Sequence, residues 1–421
     1  MLTNQCHGKN NPRRIAIAVI NKKATVLSTT SHQSRNVALL SAAQALLFTN
    51  NVTLIALSGL VGYQLAVDKS FATLPVTTQI IGSALFAMPA SQLMQRIGRR
   101  AGFLIGTLSG FIGGAIATYG VYTRSMALLC LGTFILGIYV AFGQFYRFAA
   151  ADAAPPNFKA NAISLVVAGG LIGGIVGPAL SKWTRHLAEI EFLASYASLM
   201  VFCLLTALLL SQLRIADAAP SSSSAPPRKL NEIAMQPAFI VAVMASAVGY
   251  GVMNLLMTAT PLAMGICGYP YNDAANVISA HVIAMFAPSF FTGALIQRIG
   301  VLKIMLTGVA LMFVCLGVSL SGVSVAHFWW SLVLLGLGWN FMFVGGSALL
   351  TECYQSSEKA KAQGLHDLLV FCITAISSFA SGLLLKANGW VILNYVALPF
   401  LIVALVAIVW MFSQRRAVAT A

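Results

Sequence analysis

Ser91 to Phe103 reads SQLMQRIGRRAGF, and its core, QRIG at Gln95–Gly98, returns as QRIG at Gln297–Gly300. The separation is 202 residues. A second pair keeps the same register: KANA from Lys159 and KAQG from Lys361. Two short matches at one offset are the mark of an internal duplication. Each QRIG follows an apolar run that ends in a basic turn. Gly98 and Gly300 suit a helix end that needs a left-handed residue. Arg96, Arg99, Arg100 and Arg298 complement the negative end of a helix and an anionic membrane surface.

Working outward, apolar runs long enough to cross a bilayer succeed one another at 37–62, 71–94, 101–121, 126–147, 162–183, 192–213, 237–260, 274–296, 303–322, 328–350, 364–385 and 391–413. About 20 apolar residues cover a hydrocarbon core of about 30 Å as a helix. Helices rather than barrel strands are expected, because the runs are long, lack strict alternation and satisfy their backbone internally. Composition agrees. Of 421 residues, 58% are hydrophobic and 8% charged, against about 25% charged in soluble domains. The seven cysteines are odd in number and lack metal-ligand spacing, which argues against a disulfide framework or a metal centre.

Basic residues set the orientation. With the N-terminus inside, only Lys69, Arg124, Lys182, Arg185 and Lys386 of the 25 Lys and Arg fall in outer loops. That bias accounts for the +15 charge without nucleic acid. The expected organisation is a basic cytoplasmic tail (1–36), a six-helix bundle (37–213), a flexible Ser/Pro-rich cytoplasmic linker (214–236), a second six-helix bundle (237–413) and a cytoplasmic tail (414–421). The fold class is all-α, twelve transmembrane helices in two pseudo-symmetric bundles, in the inner (plasma) membrane.

The loop after the second span resembles the signature of the major facilitator superfamily, G-x-L-a-D-r-x-G-R-r. Leu93, Arg96, Gly98, Arg99 and Arg100 match it; Ser91 replaces the first Gly and Gln95 the Asp. The resemblance implies a transporter, not an enzyme, working by alternating access. It also implies a cytoplasmic latch between the bundles, here uncharged or built differently, from Gln95, Gln297 and their neighbours. Asp367, at the inner start of the eleventh span, is placed with this group as a complement to a helix N-terminus. GGIVGPALS (Gly173–Ser181), with Gly173, Gly177 and Pro178, resembles the GxxxGP pattern of antiporter branches. It gives a lean to efflux, with close helix packing as the alternative reading and Pro178 as a kink. Thr133 stands where drug-antiporter branches carry Arg, which argues against proton-driven drug efflux. Import by symport or uniport on the same fold is the alternative.

The family architecture directs attention to spans 1, 4, 7 and 10. Polar residues there are candidates for a solute cavity: Gln44, Asn50 and Asn51; Tyr139, Gln144 and Arg147; Tyr250, Asn254 and Thr258; Trp339 and Asn340. Each could instead be interhelical glue. His281 is the candidate for proton coupling, since histidine titrates near neutrality. The expected partners are a small organic solute, lipid and protons; no cofactor, metal or nucleic acid is implied, and a monomer suffices. A channel would need an acidic ring or carbonyl filter and an intramembrane enzyme a motif such as HExxH or GxSxG. A sensor would need a soluble output domain. None is found.

Overall fold

A computed structural model describes residues 12–68, 71, 74–214 and 228–420, and these are almost wholly helical. The first half comprises α1 (Pro12–Leu65), α2 (Leu74–Ile97), α3 (Arg99–Tyr122), α4 (Met126–Gly143), α5 (Tyr146–Ala153), α6 (Lys159–Ala168), α7 (Gly170–Thr184) and α8 (Leu193–Ser211). The second comprises α9 (Leu230–Ala234), α10 (Pro237–Ile266), α11 (Tyr271–Phe286), α12 (Ser289–Ile299), α13 (Val301–Ser321), α14 (Val325–Leu350) and α15 (Lys359–Thr420). Among the described residues, nine helices are long and apolar enough to cross a membrane. The pair α11–α12, bent by 40° at Pro288, makes a tenth. Two further features bear on the expected twelve. The 24-residue α2 carries Pro89, and α15 is two helical arms joined at Gly389 (φ 74°, ψ 179°).

Helix ends follow local chemistry. Gly98 (φ 84°, ψ 158°) separates α2 from α3 and Gly300 (φ 93°, ψ 148°) separates α12 from α13. Positive φ with extended ψ is a region that essentially only glycine enters, so both QRIG motifs close their helix by the same break. The expected left-handed helical conformation is not the one used. Pro237 opens α10 at a position where its missing N–H costs nothing. The first helix starts at Pro12 rather than at residue 37. No Gly or Pro interrupts the chain between Pro12 and Gly59, so nothing in residues 13–36 stops a helix. Of the linker, 215–227 lie outside the described residues.

The packing is duplicated as the sequence is. α3 lies on α4 as α13 lies on α14, and α1 packs on α7 as α10 packs on α15. Between the halves α2 meets α15 and α6 meets α12. Pro178 lies inside α7, whose helix continues past it, and the break in this span falls at Gly169, between α6 and α7. Gly173 and Gly177 face α1 within the same half. A Cβ at Gly173 would stand 2.5 Å from the Thr49 nitrogen, and one at Gly177 3.0 Å from the Val52 Cβ. On α7 the glycines that meet the other half are Gly170, against Phe286, and Gly174, against Val282.

Candidate solute site and latch

Between the halves lies a narrow crevice, with room for about one water molecule, lined by Gln44, Phe48, Gln144, Arg147, Val167, Tyr250, Phe286, Trp339 and Phe343. Its apolar wall is an aromatic cluster. Trp339 stacks on Phe343 (centroids 5.1 Å, 16° between planes), and Tyr250 meets both edge-on at 5.2 and 5.0 Å. Phe286 joins Trp339 at 5.6 Å and reaches Phe48 of the opposite half at 5.0 Å. The buried Trp339 indole nitrogen has no hydrogen-bond partner among the described residues. A buried donor left unpaired costs about 1–3 kcal/mol and would gain by meeting a solute acceptor.

Arg147 forms the polar floor. Its guanidinium donates to the Gln144 side chain at 2.9 Å, to Ser347 Oγ at 3.2 Å and to Asp367 Oδ1 at 2.5 Å, and lies over the Phe148 and Phe343 rings. Asp367 is not at a helix N-terminus. It stands eight residues into α15, 2% exposed, and shares Oδ1 with His366 Nδ1 at 2.8 Å.

The other polar candidates are spent on holding helices together. Asn50 donates to Leu199 O and Cys203 Sγ on α8, and Asn51 accepts from Gln79. Tyr139 donates to Thr206, Asn254 to Thr374 O and Ser377 Oγ, while Thr258 is exposed away from the cavity. Asn340 bridges the bend between α11 and α12: it donates to Met285 O and Ser289 Oγ and accepts from Thr292. A proline-containing break frees backbone acceptors that lipid cannot satisfy, and Asn340 supplies the donor. His281 packs against α14 with Nδ1 bonded to Leu332 O, away from the cavity. Sequence reasoning missed Phe48, Phe286 and Phe343 because it searched for polar groups. Four-residue steps from Gln44 to Phe48 and from Trp339 to Phe343 and Ser347 were the available signal.

Below the cavity, on the side carrying both QRIG turns, neutral hydrogen bonds cross between the halves. Gln95 Nε2 donates to Ser357 O at 2.9 Å, and its repeat partner Gln297 donates to Asn157 O. Ser91 Oγ donates to Ala360 O at 2.9 Å. Ser164 Oγ donates to Ser289 O and accepts from the Gly293 amide. Arg99, 6% exposed, reaches Gln363 at 2.5 Å and Asp152 at 3.3 Å, and Lys359 joins Asp152 at 3.1 Å. Arg96, Arg100 and Arg298 are exposed at the same end. Nearby, Arg228 grips Glu358 through Nε (2.9 Å) and a terminal nitrogen (2.6 Å), anchoring the linker's end to the second half. Those donors hold the Glu358 carboxyl down at about 2. Among the described residues, no group of His, Cys, Asp and Glu is arranged to hold a metal ion.

The sequence model of the Major Facilitator Superfamily matches residues 39–287 and 243–421. The chain belongs to this superfamily. It is an integral membrane transporter, and not an enzyme. It is 41% identical over 390 residues to the riboflavin transporter RfnT of Brucella anthropi, covering 92% of this chain and 98% of that protein. It is 27% identical to the uncharacterized MFS-type transporter YddS of Bacillus subtilis, over 86% of this chain and 87% of the relative. Among solved structures, the proton:xylose symporter XylE has a TM-score of 0.76 at 14% identity, with 91% and 96% of the two chains covered. FucP in its outward conformation has 0.71 at 17%, with 89% and 98% covered. At such identities the likeness is one of fold.

Proposed function

We propose that this transporter carries riboflavin or a closely related flavin, a flat heteroaromatic solute with one polar edge and a polyol tail. The observation that carries the reading is the two-sided cavity. Trp339, Phe343, Tyr250 and Phe286 offer a surface on which a planar ring stacks, while Gln44, Gln144 and Arg147 offer donors and acceptors to its carbonyl-rich edge. The relative at 41% identity, named a riboflavin transporter, supports the same chemistry.

Twelve crossings follow if α2 and the two arms of α15 each count as a span. The basic bias then puts the QRIG end, both termini and the linker in the cytoplasm, in the plasma membrane. The cavity is complete within one chain, so a monomer is the working unit. In this arrangement the cytoplasmic side is latched, and the halves rock to release it. The crevice has room for about one water molecule, far below the roughly 300–1,000 Å³ of organic-ligand pockets, so solute binding requires the halves to separate. The efflux lean rested on the glycines of α7. Their packing against α1 explains them, so direction follows from coupling rather than from this motif.

The test is radiolabelled riboflavin exchange in proteoliposomes. Wild type should exchange, and Trp339→Leu and Gln144→Leu should each raise KM at least tenfold. Exchange no faster than in protein-free vesicles, or unaffected by both substitutions, would refute the assignment.

A further inference from the structure

The cluster under the cavity has features that solute binding alone does not explain. Asp367 is buried with one carboxylate oxygen, Oδ2, lacking any hydrogen-bond partner among the described residues, and Nε2 of its neighbour His366 is likewise unpartnered. A buried carboxylate in a membrane protein is expensive and marks ion or proton chemistry more often than scaffolding. Asp367 also occupies a terminal guanidinium nitrogen of Arg147, which lines the cavity: its Oδ1 accepts from that nitrogen at 2.5 Å.

We propose that Asp367 is the proton-binding residue of this carrier and that His366 positions its carboxylate. The proton adds to Oδ2, neutralising Asp367 and breaking its ion pair. Arg147 keeps its charge and turns its freed N–H groups to the solute's carbonyl oxygens. On the far side the proton leaves Oδ2, the ion pair with Arg147 re-forms, and the solute edge is displaced. One proton therefore moves with each solute, in the same direction. The inference rests on the flavin reading only for the identity of the solute.

The surroundings fit. Among the described residues, Arg147 of α5 is the charged group ion-paired with Asp367; α10 presents Tyr250, and α14 the neutral Ser347 bonded to Arg147. On α15 itself His366 adjoins it, and α2 packs Met88 and Ser91 against Gly364. Toward the latched end, Lys359, Gln363 and Asp367 follow at four-residue steps along one face of α15. Gln363 accepts from Arg99 and donates to Tyr354, and Lys359 bonds Asp152, which is 20% exposed.

Two measurements test this. In proteoliposomes with an inward pH gradient, wild type should accumulate riboflavin. Asp367→Asn should abolish accumulation while keeping equilibrium exchange, and His281→Phe should keep both. Accumulation by Asp367→Asn would overturn the proposal. The second measurement needs no solute: infrared difference spectra between acidic and neutral buffer should show a protonated carboxyl band in wild type that Asp367→Asn removes. Its absence from wild type overturns the proposal even if riboflavin is not the cargo; a wild type that shows the band but exchanges no riboflavin sinks only the flavin reading. Should Asp367→Asn fail to reach the membrane, the neutral double variant Arg147→Gln with Asp367→Asn serves as the spectral control.

Discussion

Removing both glutamines of the latch should open the QRIG end without disturbing the fold. Gln95 and Gln297 occupy equivalent places in the repeat, and each donates one side-chain N–H to a backbone carbonyl of the other half. Both side chains are exposed, so each bond belongs near the lower part of the roughly 0.5–1.5 kcal/mol typical of a net hydrogen bond. Together they hold the closed state by about 1–2 kcal/mol, or about 5- to 30-fold in its population over the open state. The Arg147–Asp367 and Arg99–Gln363 contacts remain in Gln95→Ala/Gln297→Ala, so the end loosens rather than falls apart. Spin labels at Arg96 and Arg298, both exposed and one in each half, report the separation by double electron–electron resonance in a cysteine-free background. The double variant should show a larger fraction of long distances than wild type. The direction of a second substitution sharpens the test. Gln95→Asp restores the superfamily's residue, yet a carboxylate cannot donate to Ser357 O and repels it, so this variant should open the end at least as far as Gln95→Ala. A Gln95→Asp protein more closed than wild type, or a double alanine variant with unchanged distances, would refute the reasoning.

Asn340→Leu should lower thermal stability in detergent by about 1–3 kcal/mol, because it strands the Met285 carbonyl at the α11–α12 bend; KM for the solute should change little, and a KM effect without a melting effect would contradict this role. Gly173→Ala drives a methyl to within 2.5 Å of the α1 backbone and should cost about 1–3 kcal/mol by overpacking, read as a lower melting temperature, whereas Gly317→Ala, with open space around it, should not. Glu358 supplies an acid-sensitive contribution. Its carboxyl is held below the ordinary 4.5, at about 2, by the Arg228 donors, so this stabilisation is full above about pH 4.5 and fades as pH falls toward 2. Melting measured across that window should be steeper for wild type than for Glu358→Gln, and identical slopes would remove the linkage.

Much of the architecture could be read from the chain because lipid imposes a simple code. Runs of apolar residues announce helices, and the repeated QRIG at 95 and 297 announces the duplication that the packing of α3 on α4 and α13 on α14 repeats. Within the site, Gln44, Gln144, Arg147, Tyr250 and Trp339 were reachable because polar or amphipathic groups on spans 1, 4, 7 and 10 are few. Asn50, Asn254 and Asn340 were reachable for the same reason and proved to be tied to neighbouring helices. A polar side chain's address on a helix wheel does not say which neighbour has an unmet carbonyl; that depends on where Pro288 bends the chain and where Cys203 lies. Asp367 looked terminal because the apolar run around it begins at 364. The helix begins at Lys359, which puts the carboxylate about 12 Å along it at 1.5 Å per residue. The start at Pro12 was hidden in the same way, since hydropathy marks where lipid begins and not where a helix does.

The wall on which a ring would lie comes mostly from residues after the linker, while the groups that would read its edge, Gln44, Gln144 and Arg147, all precede it. On the proposed reading, recognition is divided between the two halves of one chain. Relatives that recombined at the tether would inherit shape preference from one parent and heteroatom preference from the other. New cargo specificities are then open to this lineage by shuffling, without any stepwise rebuilding of the pocket.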